Sequence, residues 1–224
     1  MHESLGSKNN NENQPPAFKE FQQRLMKAAT KEEVKSITKE LLLVSGDRYR
    51  GVREFALEGN SDISERLKFL LHWSAGHVLD VGSYDGYFLL ELEKSGLKVD
   101  GTDMMEEAID LFHATKSHYP QSKAEIVVSF SESLPHDSES YDTVIMSHTL
   151  EHVFDPVVSL KECLRVAKTG GRIIVIVPHN LGNDPTHVRV VTEAWLLQTL
   201  APHSIICKQE VGNGLAIIAE KVKI

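Results

Sequence analysis

His77-Val-Leu-Asp-Val-Gly-Ser-Tyr-Asp-Gly-Tyr-Phe-Leu-Leu-Glu-Leu92 decides the fold. It reads as a short buried strand that carries Asp80 at its end, a tight turn holding Gly82 and Gly86, and then a helix. Turn glycines in a strand-turn-helix let backbone approach a small ligand, because only glycine leaves room there. The carboxylate narrows the choice of ligand. A dinucleotide would set its pyrophosphate on the helix N-terminus, where Asp80 repels it. S-adenosylmethionine (SAM) has no phosphate but carries an ammonium and a sulfonium, which a carboxylate favours.

After residue 75, short apolar strands alternate with helices. The strands are predicted at 77–81, 98–102, 125–129, 142–147 and 172–177, with helices near 86–95, 105–116 and 156–167. This order implies a mostly parallel sheet covered on both faces. Ser204–Val211 and Leu215–Ala219 flank Gly212-Asn-Gly214 and read as a hairpin, which ends the sheet with an antiparallel strand.

Working back toward the N-terminus, residues 17–74 have helical periodicity. Phe18, Phe21, Leu25 and Ala29 share one face, and Val34, Ile37, Leu41 and Val44 form the next stripe behind a Thr30/Glu33 capping-box spacing. Gly46 is a stop signal, a third helix carries Tyr49, Val52 and Phe55, and a fourth carries Ile63, Leu67, Leu70 and Leu71. These helices are expected to form a cap or lid on the domain from 75 to 224. Residues 1–16, asparagine-rich and closing on Pro15-Pro16, are expected to be a disordered tail.

The whole composition limits the function classes. The 224 residues carry a formal charge of −8, which argues against a phosphate-reading nucleic-acid surface. Cys163 and Cys207 lie in apolar segments and are expected to be reduced core residues of a cytoplasmic protein. No apolar run approaches the roughly 18 residues of a membrane span, and the first residues lack the basic and apolar stretches of a signal peptide. The oligomeric state is left open.

Asp80-Val-Gly82-Ser-Tyr-Asp-Gly86, Asp103, Leu134-Pro135, Glu151-His152-Val, Asp155-Pro156 and Gly170-Gly171 occur in that order. With these motifs, the chain from about 75 onward resembles the class I SAM-dependent methyltransferases, within them the branch acting on small molecules. The resemblance implies a Rossmann-like, doubly wound α/β sheet of seven strands and a small-molecule methyl acceptor, with no nucleic-acid or membrane partner. It places SAM's methionine end on Asp80, Gly82, Ser83, Tyr84 and Gly86. Tyr84 departs from the glycine more often found at its position. Asp103, 21 residues after Gly82, has the spacing of an acid that accepts from ribose hydroxyls, and an N-cap role for the helix near Met104 is compatible with that. The acid that commonly holds the adenine amino group is missing. Phe130, Ser131 and Glu132 stand there, with Phe130 expected to wall the ring.

His148 ends the fourth strand, where open α/β sheets bind ligands. It is the first candidate for the base that takes the acceptor's proton, and His187 is the second. His148, Glu151 and His152 have i, i+3, i+4 spacing, and His187 could approach them. The set resembles the metal site of ubiquinone-pathway O-methyltransferases and of small-RNA terminal 2′-O-methyltransferases, although the resemblance would put glutamate where this chain has His148. A bound divalent ion, and with it a nucleic-acid 2′-O-methyltransferase, is therefore held as an alternative to simple base catalysis. A non-catalytic SAM-binding scaffold is the other rival, and an NAD-dependent oxidoreductase is disfavoured by Asp80 and the absence of a Gly-x-Gly-x-x-Gly run. His187 and Arg189 are expected to line the acceptor pocket. Arg48, Arg50 and Arg53 are expected to be a solvated basic face.

Overall fold

The computed structural model describes residues 16–45, 51–182 and 184–223. The expected tail lies outside these residues apart from Pro16, and so do Gly46, Arg48, Tyr49 and Arg50. Four helices come first: α1 (Pro16–Lys27), α2 (Lys31–Ser45), α3 (Val52–Leu57) and α4 (Ser61–Trp73). The alternating region follows as β1 (His77–Val81), α5 (Tyr87–Lys94), β2 (Lys98–Asp103), α6 (Glu106–Lys116), β3 (Ile126–Val128), β4 (Tyr141–Ser147), α7 (Pro156–Val166) and β5 (Ala167–Pro178). The chain closes with α8 (Glu193–Leu200) and the hairpin β6 (Ser204–Val211) and β7 (Gly214–Glu220).

The seven strands lie in the order β3-β2-β1-β4-β5-β7-β6, all parallel except for β7, which runs antiparallel to both β5 and β6. This is the sheet the sequence predicts. Alternate residues of each strand point to opposite faces, so each face builds its own core. Leu79, Val144, Met146 and Val175 pack with Leu160 and Cys163 of α7 and Leu196 of α8. Val78, Ile145, Ile174 and Ile176 pack with Phe69 and Leu70 of α4, Leu89 of α5 and Phe112 of α6. β1, β4 and β5 are buried on both faces, which explains their nearly uninterrupted apolar runs.

From β1 the chain winds outward through β2 and β3, whereas β4 returns beside β1 and the chain winds the other way. The sheet therefore has its switch point between β1 and β4, and a crevice opens beyond their C-terminal ends. Asp80 and His148 are brought to that crevice by topology alone.

The capping box forms as expected: Glu33 N–H donates to Thr30 Oγ1 at 3.1 Å, and the Glu33 carboxylate accepts from Ala29 N–H at 2.7 Å. Leu25, Val34 and Leu41 of α1 and α2 are buried without joining either core of the sheet. α2 is tied to α6 by the ion pairs Lys35–Glu106 and Lys39–Glu107, each 2.7 Å. Exposed pairs of this kind are worth about 0–1 kcal/mol each. Among the described residues no helix is long and apolar enough to cross a membrane.

Candidate active site

A cavity of about 330 Å³ fills the crevice. Its floor is the β1–α5 loop and the ends of β2 and β4, and Lys31, Val34 and Thr38 of α2 lie on its other side. Of the residues expected to bind a ligand or line the acceptor pocket, all but Gly86, Glu151 and Arg189 line it.

The β1–α5 loop is held in a shape that its sequence requires. Gly82 (φ 80°) and Gly86 (φ 68°) are left-handed, and a Cβ on them would meet Thr149 Cγ2 and Phe112 Cδ2, each at 2.5 Å. Tyr84 is also left-handed (φ 50°), so the glycine missing at that position is replaced by strain. Its amide donates to Asp103 Oδ2 at 3.0 Å. Asp103 Oδ1 accepts from Met105 N–H at 3.0 Å, so this carboxylate braces the loop and caps α6 at once. Each oxygen retains a lone pair for a further donor. Ser83 is turned inward, its hydroxyl donating to the Asp80 carbonyl at 2.7 Å. Asp80 is buried, and its carboxylate accepts no hydrogen bond from any described residue. Desolvation, then the neighbouring Asp103 and Asp85, pushes its pKa up to about 7. Such a group is stabilised by an arriving cation.

Two residues outside the sequence reading belong to this frame. Asp85 is buried and accepts from Arg53 N–H at 2.9 Å and from its near neighbour Tyr87 N–H at 3.2 Å, joining the helical cap to the loop. Arg66 of α4 is a buried cation lining the cavity, bonded to Asp62 Oδ2 at 3.0 Å and Ser147 Oγ at 3.3 Å. Besides these local bonds to Asp62 and Tyr87, the contacts to Ser147 and Arg53 span 81 and 32 residues and leave no local signal.

Phe130 lines the cavity, with the Lys31 ammonium 4.8 Å from its ring centroid. Ser131 is engaged with Ser159 at 2.9 Å, and Glu132 Oε1 accepts from Phe154 and Asp155 N–H at 2.9 and 3.1 Å. Glu132 thus fastens the turn before α7. Arg189 differs from its expectation: its guanidinium is spent on the carbonyls of Leu150, Val153 and Phe154 and does not line the cavity.

At the β4 end, His148, Glu151, His152 and His187 come together. His148 Nδ1, His187 Nε2 and His152 Nε2 lie 3.7, 3.8 and 3.9 Å from one oxygen, Glu151 Oε1. Glu151 is fully buried, and neither of its carboxylate oxygens has a hydrogen-bond partner among the described residues. His152 Nδ1 faces the Thr186 carbonyl at 3.2 Å and the Thr186 hydroxyl at 2.9 Å, the hydroxyl donating in turn to Asp184. His187 Nδ1 faces the Leu181 carbonyl at 2.8 Å. A carbonyl only accepts, so both Nδ1 atoms carry the proton and both Nε2 lone pairs point inward. Burial, with nearby Arg66 and the other two histidines, holds the His148 pKa down near 2. His148 is therefore held neutral in this pocket. Glu151, His152 and His187 have ligand atoms within 4.8 Å of one another, a set that could hold a divalent cation, and burial pushes the Glu151 pKa up to about 8, so an arriving cation would stabilise its ionised form.

Residues 79–175 match a family model described as a methyltransferase domain. The fold also superposes on a SAM-dependent methyltransferase from Methanosarcina mazei with a TM-score of 0.56 at 26% identity, covering 66% of this chain and 93% of that one. The chain carries a class I SAM-dependent methyltransferase domain. A SAM-dependent methyltransferase from Aquifex aeolicus shares the fold at 24% identity, with a TM-score of 0.59 over 68% of this chain and 87% of that one. Over 113 residues the chain is 34% identical to a ubiquinone biosynthesis O-methyltransferase of Coxiella burnetii, covering 48% of this chain and 47% of that protein. The chain thus spans about half the length of the curated relatives it matches.

Proposed function

We propose that this chain transfers the methyl group of SAM to an oxygen of a small-molecule acceptor. The observation that carries the reading is a single cavity running from Asp80 and Asp103 to the histidine cluster. In this reading Asp80 meets the cationic methionine end of SAM, Arg66 its carboxylate, Asp103 the ribose hydroxyls and Phe130 the adenine face. α2 closes over the bound cofactor as a lid, held by contacts weak enough to let it open. The name of the Coxiella relative supports oxygen as the acceptor atom.

Attack of the acceptor oxygen on SAM's electrophilic methyl carbon, with the carbon–sulfur bond breaking and S-adenosylhomocysteine leaving, needs the nucleophile in line and, for a hydroxyl, loss of its proton. Glu151, His152 and His187 would hold a divalent ion, which when bound would supply Lewis acidity to the acceptor oxygen. The residues themselves orient that oxygen toward the sulfonium end, and the Asp184–Thr186–His152 chain fixes one ring. α2 and Phe130 keep water from the methyl group. Incubation with methyl-labelled SAM and phenolic, catecholic and aliphatic hydroxyl acceptors is expected to give a labelled ether. Label passing only to nitrogen or carbon acceptors would refute the oxygen assignment. A protein that binds the cofactor yet labels none of them would refute catalysis.

A further inference from the structure

At the Phe130 end of the cavity the carboxylate is engaged and a cation is not. Glu132 lines the cavity there, but both its oxygens already accept: Oε1 from Phe154 and Asp155 N–H at 2.9 and 3.1 Å, Oε2 from the Ser131 hydroxyl at 3.1 Å. The Ser129 hydroxyl is turned to the carbonyls of Phe130 and Ser133. Lys31 differs from these. Its ammonium makes no ion pair or hydrogen bond with any described residue and rests 4.8 Å from the Phe130 ring centroid. Lys35, the next cation along α2, lies 5.8 Å from the same ring and is committed to Glu106 at 2.7 Å. Lys31 is also the first residue of α2, where the helix dipole favours acids, so a cation there does nothing for the helix itself.

Resting on the cofactor reading above, which lays the adenine on Phe130, we propose that Lys31 reads the 6-position edge of the purine as a hydrogen-bond donor. The site then takes a 6-oxopurine form of the cofactor at least as tightly as the adenine form. A purine stacked on Phe130 fills the ring face that the ammonium now covers, and the flexible four-carbon stem carries the ammonium to the purine's edge. Along that edge adenine offers an ammonium only N7 and turns the N–H bonds of its 6-amino group toward it. Hypoxanthine offers N7 and O6 side by side, both acceptors. A free carboxylate would reverse the preference, but Glu132 is committed to fastening the turn before α7.

The test is calorimetric titration of the full chain with S-adenosylhomocysteine and with S-inosylhomocysteine, its 6-oxo counterpart. In the unaltered chain the 6-oxo ligand is expected to bind with an equal or smaller Kd. Lys31→Glu exchanges the donor for an acceptor and is expected to move the ratio of the two Kd values about tenfold toward adenine. Lys31→Met keeps most of the stem, removes the charge and is expected to fall between the two. Tighter binding of S-adenosylhomocysteine by the unaltered chain, or a ratio that neither variant moves, would overturn the inference and leave the cofactor reading intact. Binding of neither ligand by the unaltered chain would overturn that reading and the inference together.

Discussion

Replacing Asp80 with asparagine should move stability and cofactor binding in opposite directions. Asp80 is held at a pKa of about 7, against an ordinary value of 3.8. A carboxyl raised on folding holds more protons in the folded state than in the unfolded one, so the cofactor-free fold loses stability as pH climbs from about 4 to 7. The gap corresponds to on the order of 4 kcal/mol above pH 7. Asp80→Asn removes that charge, its repulsion by Asp103 and Asp85 included, but leaves a buried amide short of partners at about 1–3 kcal/mol. Urea unfolding at pH 8 should therefore show the variant about 1–3 kcal/mol more stable, with the advantage gone near pH 4. Binding has the reverse sign, because the cation needs the ionised acid. With a pKa near 7, about a tenth of Asp80 is ionised at pH 6 and about three quarters at pH 7.5, so SAM should bind roughly eightfold tighter at the higher pH. Asp80→Asn should bind weakly and show no such rise. A variant less stable than the parent at pH 8, with the pH dependence of binding intact, would refute the reasoning.

Gly82→Ala forces a Cβ to 2.5 Å from Thr149 Cγ2 at a left-handed position, and should cost about 2–4 kcal/mol in urea unfolding. Thr149→Ala should recover part of that loss and leave the backbone strain. Asp85→Ala removes the acceptor of Arg53 N–H and Tyr87 N–H and should lower stability by about 1–3 kcal/mol. Hydrogen exchange should rise in α3 and at the start of α5, and uniform protection there would contradict the bracing role. Lys35→Ala with Lys39→Ala cuts both ties of α2 to α6 and should change global stability by less than about 2 kcal/mol. Stopped-flow association of S-adenosylhomocysteine should become faster in that variant if α2 is the lid.

Much of this was legible because it is local. The strand reading of 77–81 coincides with β1, since Val78-Leu-Asp-Val81 is buried on both faces and two turn glycines follow. β5 is longer than expected, Ala167–Pro178 rather than 172–177, because Gly170 at φ 80° and Gly171 let the chain bend without leaving the sheet. α8 was missed, although Thr192 carries an N-cap signal that the structure uses toward Trp195 N–H. Arg66 and Asp85 were illegible for a different reason: their partners at Ser147 and Arg53 lie 81 and 32 residues away. The i, i+3, i+4 spacing brought out three members of the histidine cluster. Only the loop carrying Leu181 and Thr186 explains how His187 and His152 are aimed.

Calorimetric titration of the full chain with S-adenosylhomocysteine tests the central claim most directly. The account expects one site with a micromolar Kd, competitive with SAM and at least tenfold weaker in Asp103→Asn. No binding, or binding that SAM does not displace, would contradict it.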